Sequence, residues 1–339
     1  MRTITRAAAL AKPSTTVHVA PGTYTESVVS STSGTSTGYI YYVSDTKWGA
    51  KIVPPASSAG GAGWRQKGNY VWIVGFDING STVPAGWRHG IWNSGSNVTV
   101  RDSHIHRIGN GAPCNNNGGA GIMEDGYSGG RYQDVLNNVV NNVGPAGCWY
   151  FHGIYMASYD FKVQNNISYG NASVGIAGNH DVGRGYVTNN TVFRNGRRGI
   201  SLQGNDFYFD TAGGPFTVEN NIVYDNNLDG PYNDGSATGI SVFGTLRGTS
   251  VIRNNYSANN RNTEIFMKSG FGSVDSNITT GTPGFVNYRT DGTGDYRLAS
   301  SSAMIDKGIA TNAPAVDLDY RKRPQCAGID LGAHEFVCP

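Results

Sequence analysis

Tyr155, His152, His180 and Arg198 are the residues of this chain whose types and spacing suit one reaction, β-elimination at a uronic acid. That reaction removes the proton at C5, next to a carboxylate, and expels the oxygen at C4. It needs a base, a proton donor for the leaving oxygen, and cations or amides that hold the carboxylate while charge develops on it. Tyr155 is expected to be the acid, with service as base also open to it. A tyrosine with an ordinary pKa near 10 is a good acid and becomes a base only where a nearby arginine stabilises its phenolate. His180 or His152 is expected to be the base, and Arg198 the neutralising cation. Arg197, Arg184, Asn179 and Gln203 offer further donors to the substrate, and Asp125, Trp149, Tyr208 and Lys268 are expected to contact it. Rings such as Trp149 and Tyr208 stack on sugar faces while their rims stay wet; the alternative is that they only pack loops onto the body of the protein.

A repeat has to bring these residues together. Gly-Ile recurs at Gly90-Ile91, Gly121-Ile122, Gly153-Ile154, Gly175-Ile176, Gly199-Ile200 and Gly239-Ile240, at spacings of 31, 32, 22, 24 and 40 residues. An Asn pair recurs as well, at Asn137-Asn138, Asn165-Asn166, Asn189-Asn190, Asn220-Asn221 and Asn254-Asn255. A short unit repeated with loops of variable length is a solenoid. Short apolar runs, Asn and Gly, without helical periodicity, select strands. Alternation along a strand puts Ile154 and Met156 inside with Tyr155 outside, and Ile176, Ile200, Leu202, Ile240 and Val242 in the core. The second Asn of each pair, from Asn138 to Asn255 and on to Asn277, forms an inward column of hydrogen-bonded amides. Two earlier coils break the column, with Asp77 and Ser103 expected at its position, both short polar residues that can still cap a turn.

Aligning coils on Gly-Ile gives outward rows: His89, His152 and Arg198; then Trp92, Met123, Tyr155, Ala177 and Ser201; then Asp125, Asn179, Gln203 and Phe243, with Lys268 beyond. Coils stack ~4.8 Å apart, so the group spans a few sugar units. His180 lies further along its strand than Tyr155, by ~10 Å.

This spacing resembles the right-handed parallel β-helix (pectin-lyase-like) superfamily, which is dominated by polysaccharide lyases, epimerases and hydrolases. The resemblance implies an all-β chain forming one domain over 1–339. Residues 1–26 would be a short capping helix and first strand, 69–280 the core coils, and 281–339 a C-terminal coil and cap. The Ala-rich Ala7-Ala8-Ala9-Leu10-Ala11 leading to Val17-His18-Val19 looks like the family's capping helix, and an open solenoid end needs an apolar lid. The stretch from Asn179-His180-Asp181 to Gly199-Ile200-Ser201 is similar to the His-Asp coil of mannuronan C5-epimerases. Those enzymes carry Asp-Pro-His-Asp/Glu where this chain has Gly178-Asn179-His180-Asp181, a departure that argues against epimerisation.

Composition sets outer bounds. A formal net charge of +2 gives no argument for nucleic acid. Runs of 18 or more apolar residues are missing, so no membrane-spanning helix is expected. The four cysteines suggest two disulfides, Cys114 with Cys148 on stacked loops and Cys326 with Cys338; four free thiols are the alternative. An even count in a loop-rich chain favours a secreted or periplasmic protein, with a leader removed ahead of Met1. The expected partner is an acidic polysaccharide lying along a monomer. No cofactor is expected, and structural calcium is left open.

Two other functions compete. A glycoside hydrolase needs two carboxyls about 5 Å or 6.5–9.5 Å apart; Glu124, Asp125, Asp181, Asp206 and Asp210 are available, although alternation turns Glu124 inward. A carbohydrate-binding or adhesion module needs no acid or base.

Overall fold

The computed structural model describes residues 2–58, 60–180, 182–204, 213–229 and 238–338. Tyr208, expected to touch sugar, and Asp181, Asp206 and Asp210, weighed as carboxylates, lie outside the described residues. The described strands form a right-handed parallel β-helix of three sheets, with ten, nine and nine strands. The first sheet runs from Thr16–Val19 to Gly272–Asp275, the second from Gly22–Thr25 to Tyr256–Ala258, and the third from Val28–Ser30 to Ile265–Met267. Each complete coil gives one strand to each sheet and pairs in register with the next coil. Ile122, Ile154, Ile176, Ile200 and Ile240 therefore stack in one fully buried file.

The Asn pairs make the corner between the first and second sheets. The first Asn of each pair takes the left-handed conformation, with φ of 59° at Asn137, 56° at Asn165, 54° at Asn189, 58° at Asn220 and 50° at Asn254. Asn is among the few side chains that accept it cheaply. The second Asn turns inward and builds the ladder. Nδ2 of Asn138, Asn166, Asn190, Asn221 and Asn255 donates to Oδ1 of the next Asn at 3.1, 3.0, 2.9, 2.9 and 3.0 Å. One expectation is corrected here. Ser103 holds the slot before Asn138, but the slot before that belongs to buried Phe76, whose N–H donates to Ser103 Oγ. Asp77 is one residue further on, in strand register with His104. An apolar ring near the N-terminal end fills the core where the ladder has stopped.

A second ladder, at Asn171, Asn195, Asn226 and Asn260, stands at the corner between the second and third sheets, with contacts of 2.8, 2.9 and 2.8 Å. The Gly column faces it. A Cβ at Gly175 would stand 2.5 Å from Val192 Cγ1, and one at Gly199 would stand 2.2 Å from Val223 Cγ1. The absence of a side chain lets the third-sheet strands bend in against the second sheet.

Helix Ile4–Ala8 closes the N-terminal end with Ile4 and Ala8 buried. Its N-terminal amides are satisfied by Glu26, whose carboxylate accepts from Ile4 N and Thr5 N at 2.7 and 3.0 Å. Residues 281–338 do not add the expected terminal coil. They form a small antiparallel hairpin, Phe285–Asn287 with Asp295–Leu298, and a tail that doubles back over the second sheet. Tyr169 and Phe193 face outward there, and Tyr296, Leu318 and Ala333 cover them. Burial of those rings is the driving force for the return path. Cys326 and Cys338 are bonded within this tail, and Cys114 and Cys148 join two loops of adjacent coils, with Cα atoms 5.7 and 5.5 Å apart.

Candidate active site

The outward face of the third sheet carries a cleft of ≈ 850 Å³. Its floor is the row Met123, Tyr155, Ala177 and Ser201, fixed by parallel pairing of 119–125, 151–157, 174–178 and 198–204. Ala177 and Ser201 are short, so the two coils after Tyr155 leave a depression about two coil spacings, or ~10 Å, wide. One wall carries His89, His152 and Arg198; the other carries Asn179, His180, Gln203 and Phe243. The loops containing Asn116, Asn117, Trp149 and Tyr150 form a rim, and the Cys114–Cys148 disulfide ties those two loops together.

Tyr155 stands at the centre. Its hydroxyl is 3.4 Å from that of Tyr127, and its ring centroid is 5.2 Å from that of His152. The ring of His180 lies 6.1 Å from the ring of Tyr127. Tyr127 thus bridges Tyr155 to His180 across the strand offset that alternation alone implied. His180 reaches this position from a left-handed backbone with φ 49°, and its N–H donates to Asn179 Oδ1 at 2.9 Å. Arg198 is largely buried and its guanidinium lies over the Phe243 ring at 5.5 Å. Arg197 lies over the half-exposed Trp149 ring at 4.3 Å, so this aromatic presents an arginine-backed face to the cleft.

Burial, followed by the positive charge of Arg197, pushes the His152 pKa down to about 3. Burial with Arg65 and Arg88 does the same to His89. Both rings are neutral at pH 7, which makes His152 a hydrogen-bond acceptor and a feeble base. A consequence for stability follows. The unfolded chain binds these protons near pH 6.5 and the folded chain only near 3, so stability falls as pH drops through that window. Denaturation midpoints at pH 7 and pH 5 should show this loss, and His152→Gln should flatten it; an identical slope in the variant would contradict the burial of a neutral ring.

Seven of the expected residues other than Tyr155 line the cleft: His152, His180, Arg198, Arg197, Asn179, Gln203 and Trp149. Three do not. Asp125 is buried under the turn Gly126–Ser128, where its carboxylate accepts from Trp92 Nε1 at 2.8 Å and Ser128 Oγ at 3.2 Å. It braces the turn that presents Tyr127 and has no face toward a ligand. Arg184 sits outside the cleft on Asp160 at 2.5 Å, because the chain has already left the third sheet at that point. Lys268 is turned onto its own end of the solenoid, donating to Gly244 O at 2.8 Å. Tyr127 and His89 were not among the expected site residues. His89 stands in the same row as His152, a signal available from the alignment; Tyr127 lies in a loop, where alternation says nothing.

No Asp or Glu lines the cleft among the described residues. Glu124 is turned into the core as expected, accepting from Asn93 Nδ2 at 2.5 Å, and burial drives its pKa well above the ordinary carboxylate range. The polar part of the described lining is therefore two guanidiniums, three imidazoles, three phenols and amides.

A family model described as "Protein of unknown function (DUF1565)" matches residues 1–30. No curated protein matches the chain in sequence. Solved structures do match in shape. A pectate lyase, Pel9A, aligns over 98% of this chain and 90% of its own, at 17% identity and a TM-score of 0.63. A rhamnogalacturonan lyase aligns over 85% and 86%, at 14% identity and 0.55. An alginate lyase from Paenibacillus sp. str. FPU-7 aligns over 81% and 92%, at 18% identity and 0.51. The chain shares their right-handed parallel β-helix. At such identities the likeness concerns the fold, and the chemistry has to be argued from the cleft.

Proposed function

We propose that this protein is an exported polysaccharide lyase that cleaves a uronic-acid-containing polymer by β-elimination. The observation that carries the reading is the cleft's lining: Arg197 and Arg198 beside a Tyr155–Tyr127 hydroxyl pair and His180, without a described carboxylate to repel an acidic chain. A groove along stacked coils suits an extended polymer, and Trp149 and Tyr150 at the rim offer faces for sugar rings. The structurally similar proteins named as pectate, rhamnogalacturonan and alginate lyases support the same class.

In the proposed reaction Arg198, with Asn179 and Gln203, holds the uronate carboxylate and stabilises the charge that develops on it. His180 takes the C5 proton. The electron pair forms the C4–C5 double bond, the bond from C4 to the glycosidic oxygen breaks, and Tyr155 gives that oxygen its proton. His180 then returns its proton to solvent and Tyr155 is reprotonated. His152, held neutral, orients the Tyr155 ring. Export agrees with the two disulfides; among the described residues no helix is long and apolar enough to cross a membrane.

The hydrolase alternative has lost Glu124 and Asp125, which are buried away from the cleft. A panel of pectate, alginate, rhamnogalacturonan and glucuronan separates the classes. Elimination raises absorbance near 235 nm, hydrolysis yields reducing ends without it, epimerisation exchanges the C5 proton with solvent and leaves chain length unchanged, and a binding module retains polymer without turnover. The proposal requires the first outcome on at least one polymer, and any of the other three would overturn it.

A further inference from the structure

We propose that Asp77, His104 and His106 form a second site, one that binds a divalent transition-metal ion of the zinc class. The three lie on the outward face of the second sheet, where the strands Asp77–Asn79 and His104–His106 are hydrogen-bonded neighbours and His104 stands beside Asp77. None of them lines the cleft on the third sheet. The site is thus independent of the proposed lyase chemistry. Sequence spacing does not reveal it, because Asp77 and the two histidines meet only through the stacking of one coil on the next.

The geometry points to a cation. One Asp77 carboxylate oxygen is 2.8 Å from His106 Nε2 and 3.7 Å from His104 Nδ1. One donor atom from each residue lies within 4.8 Å of the others. Donors on a tetrahedral ion with ~2.0–2.2 Å bonds stand about 3.3–3.6 Å apart, so an ion enters once the Asp77–His106 hydrogen bond opens and the Asp77–His104 pair closes slightly. The two imidazoles are stacked, with centroids 4.0 Å apart and planes 4° from parallel, so the rings must tilt toward each other for their lone pairs to converge on one ion; Trp48 flanks the His104 ring at 5.0 Å. The side chains keep only 11%, 23% and 13% of their surface exposed. That leaves room for a water as fourth ligand and little freedom for the protein groups.

A second contact fixes the ligand form of His104. Its Nε2 lies 2.8 Å from Asn141 Oδ1, an acceptor supplied by the following coil. The ring proton therefore sits on Nε2, and the Nδ1 lone pair faces the Asp77 carboxylate. Two electron-rich atoms facing each other are repulsive unless a cation lies between them. A ligating histidine held at its far nitrogen by a carbonyl-type oxygen is the usual outer-shell arrangement of such sites.

Two imidazole nitrogens and one carboxylate oxygen suit zinc, nickel or copper better than calcium or magnesium, which take oxygen ligands. The other Asp–His grouping, Asp317, Asp319 and His334, does not offer the same chance. Its carboxylates already accept from the N–H groups of Asp319, Arg321 and Glu335 and from the Arg321 guanidinium. An ion at Asp77 would cross-link two successive coils and stabilise the folded chain by mass action.

The full chain, dialysed against chelator, should take up one equivalent of Zn²⁺ by calorimetry, and Co²⁺ should give the visible absorption of a tetrahedral nitrogen–oxygen site. His104→Gln and His106→Gln should each weaken Zn²⁺ binding at least tenfold, and Asn141→Ala about tenfold, while His334→Gln leaves it unchanged. Zn²⁺ should raise the melting temperature of the wild type but not that of the His104→Gln/His106→Gln double variant. Absence of saturable uptake by the wild type, full uptake by the double variant, or loss on His334→Gln instead would overturn the proposal.

Discussion

Tyr155→Phe should lower kcat by about 10²–10⁴-fold, the usual worth of a positioned acid or base, and leave KM and thermal unfolding close to wild type. The exchange removes one oxygen and nothing else. The ring keeps its packing beside His152, and the hydroxyl's 3.4 Å approach to Tyr127 is lost. In the proposed reaction carboxylate binding falls to Arg198, Asn179 and Gln203, which the substitution does not touch. An interaction made only as the C4 oxygen departs lowers kcat and kcat/KM together when it is removed. Tyr127→Phe should cost less, because Tyr127 meets Tyr155 and not the leaving oxygen. Turnover unchanged in Tyr155→Phe would take the acid role away from this residue.

Asn190→Leu should destabilise the solenoid by about 3 kcal/mol or more, read as a drop in the denaturation midpoint. Asn190 lies in the middle of the ladder and is fully buried. Its Oδ1 accepts from Asn166 N and Nδ2, and its Nδ2 donates to Val163 O, Thr188 O and Asn221 Oδ1. Leucine matches it roughly in volume and satisfies none of these partners. Each buried group left unpaired costs about 1–3 kcal/mol, and several are orphaned together. Because stacked coils fold through nearest-neighbour interfaces, a break in the centre should cost more than the same change at Asn277, whose ladder neighbour lies on one side only. Equal losses at both positions would show that the amides act one by one and not as a column.

The scaffold was legible because its two repeats have separate physical causes. Gly at the bend is demanded by the second-sheet side chains pressing on it, and the Asn pair couples a left-handed corner to an inward amide. Alternation from those anchors placed His152, Tyr155, Asn179, Arg198 and Gln203 on one face. The second ladder was equally available, since Asn171, Asn195, Asn226 and Asn260 each follow a ladder Asn by five residues. The misplacements share one origin. Arg184 lies in a turn and Asp125 at the last residue of a strand, and there a local partner, Asp160 or Ser128, decides where the side chain goes. Lys268 was read by extending a row to the last coil, where it bonds the chain end. Tyr127 was hidden because a loop has no period.

A crystal of Tyr155→Phe soaked with a uronate oligosaccharide tests the central claim most directly. The expected density has a carboxylate bonded to Arg198 and flanked by Asn179 and Gln203, with C5 facing His180 and the C4 oxygen above position 155. A sugar bound on another face, or in this cleft with its carboxylate turned away from Arg198, would contradict the assignment of this site to elimination chemistry.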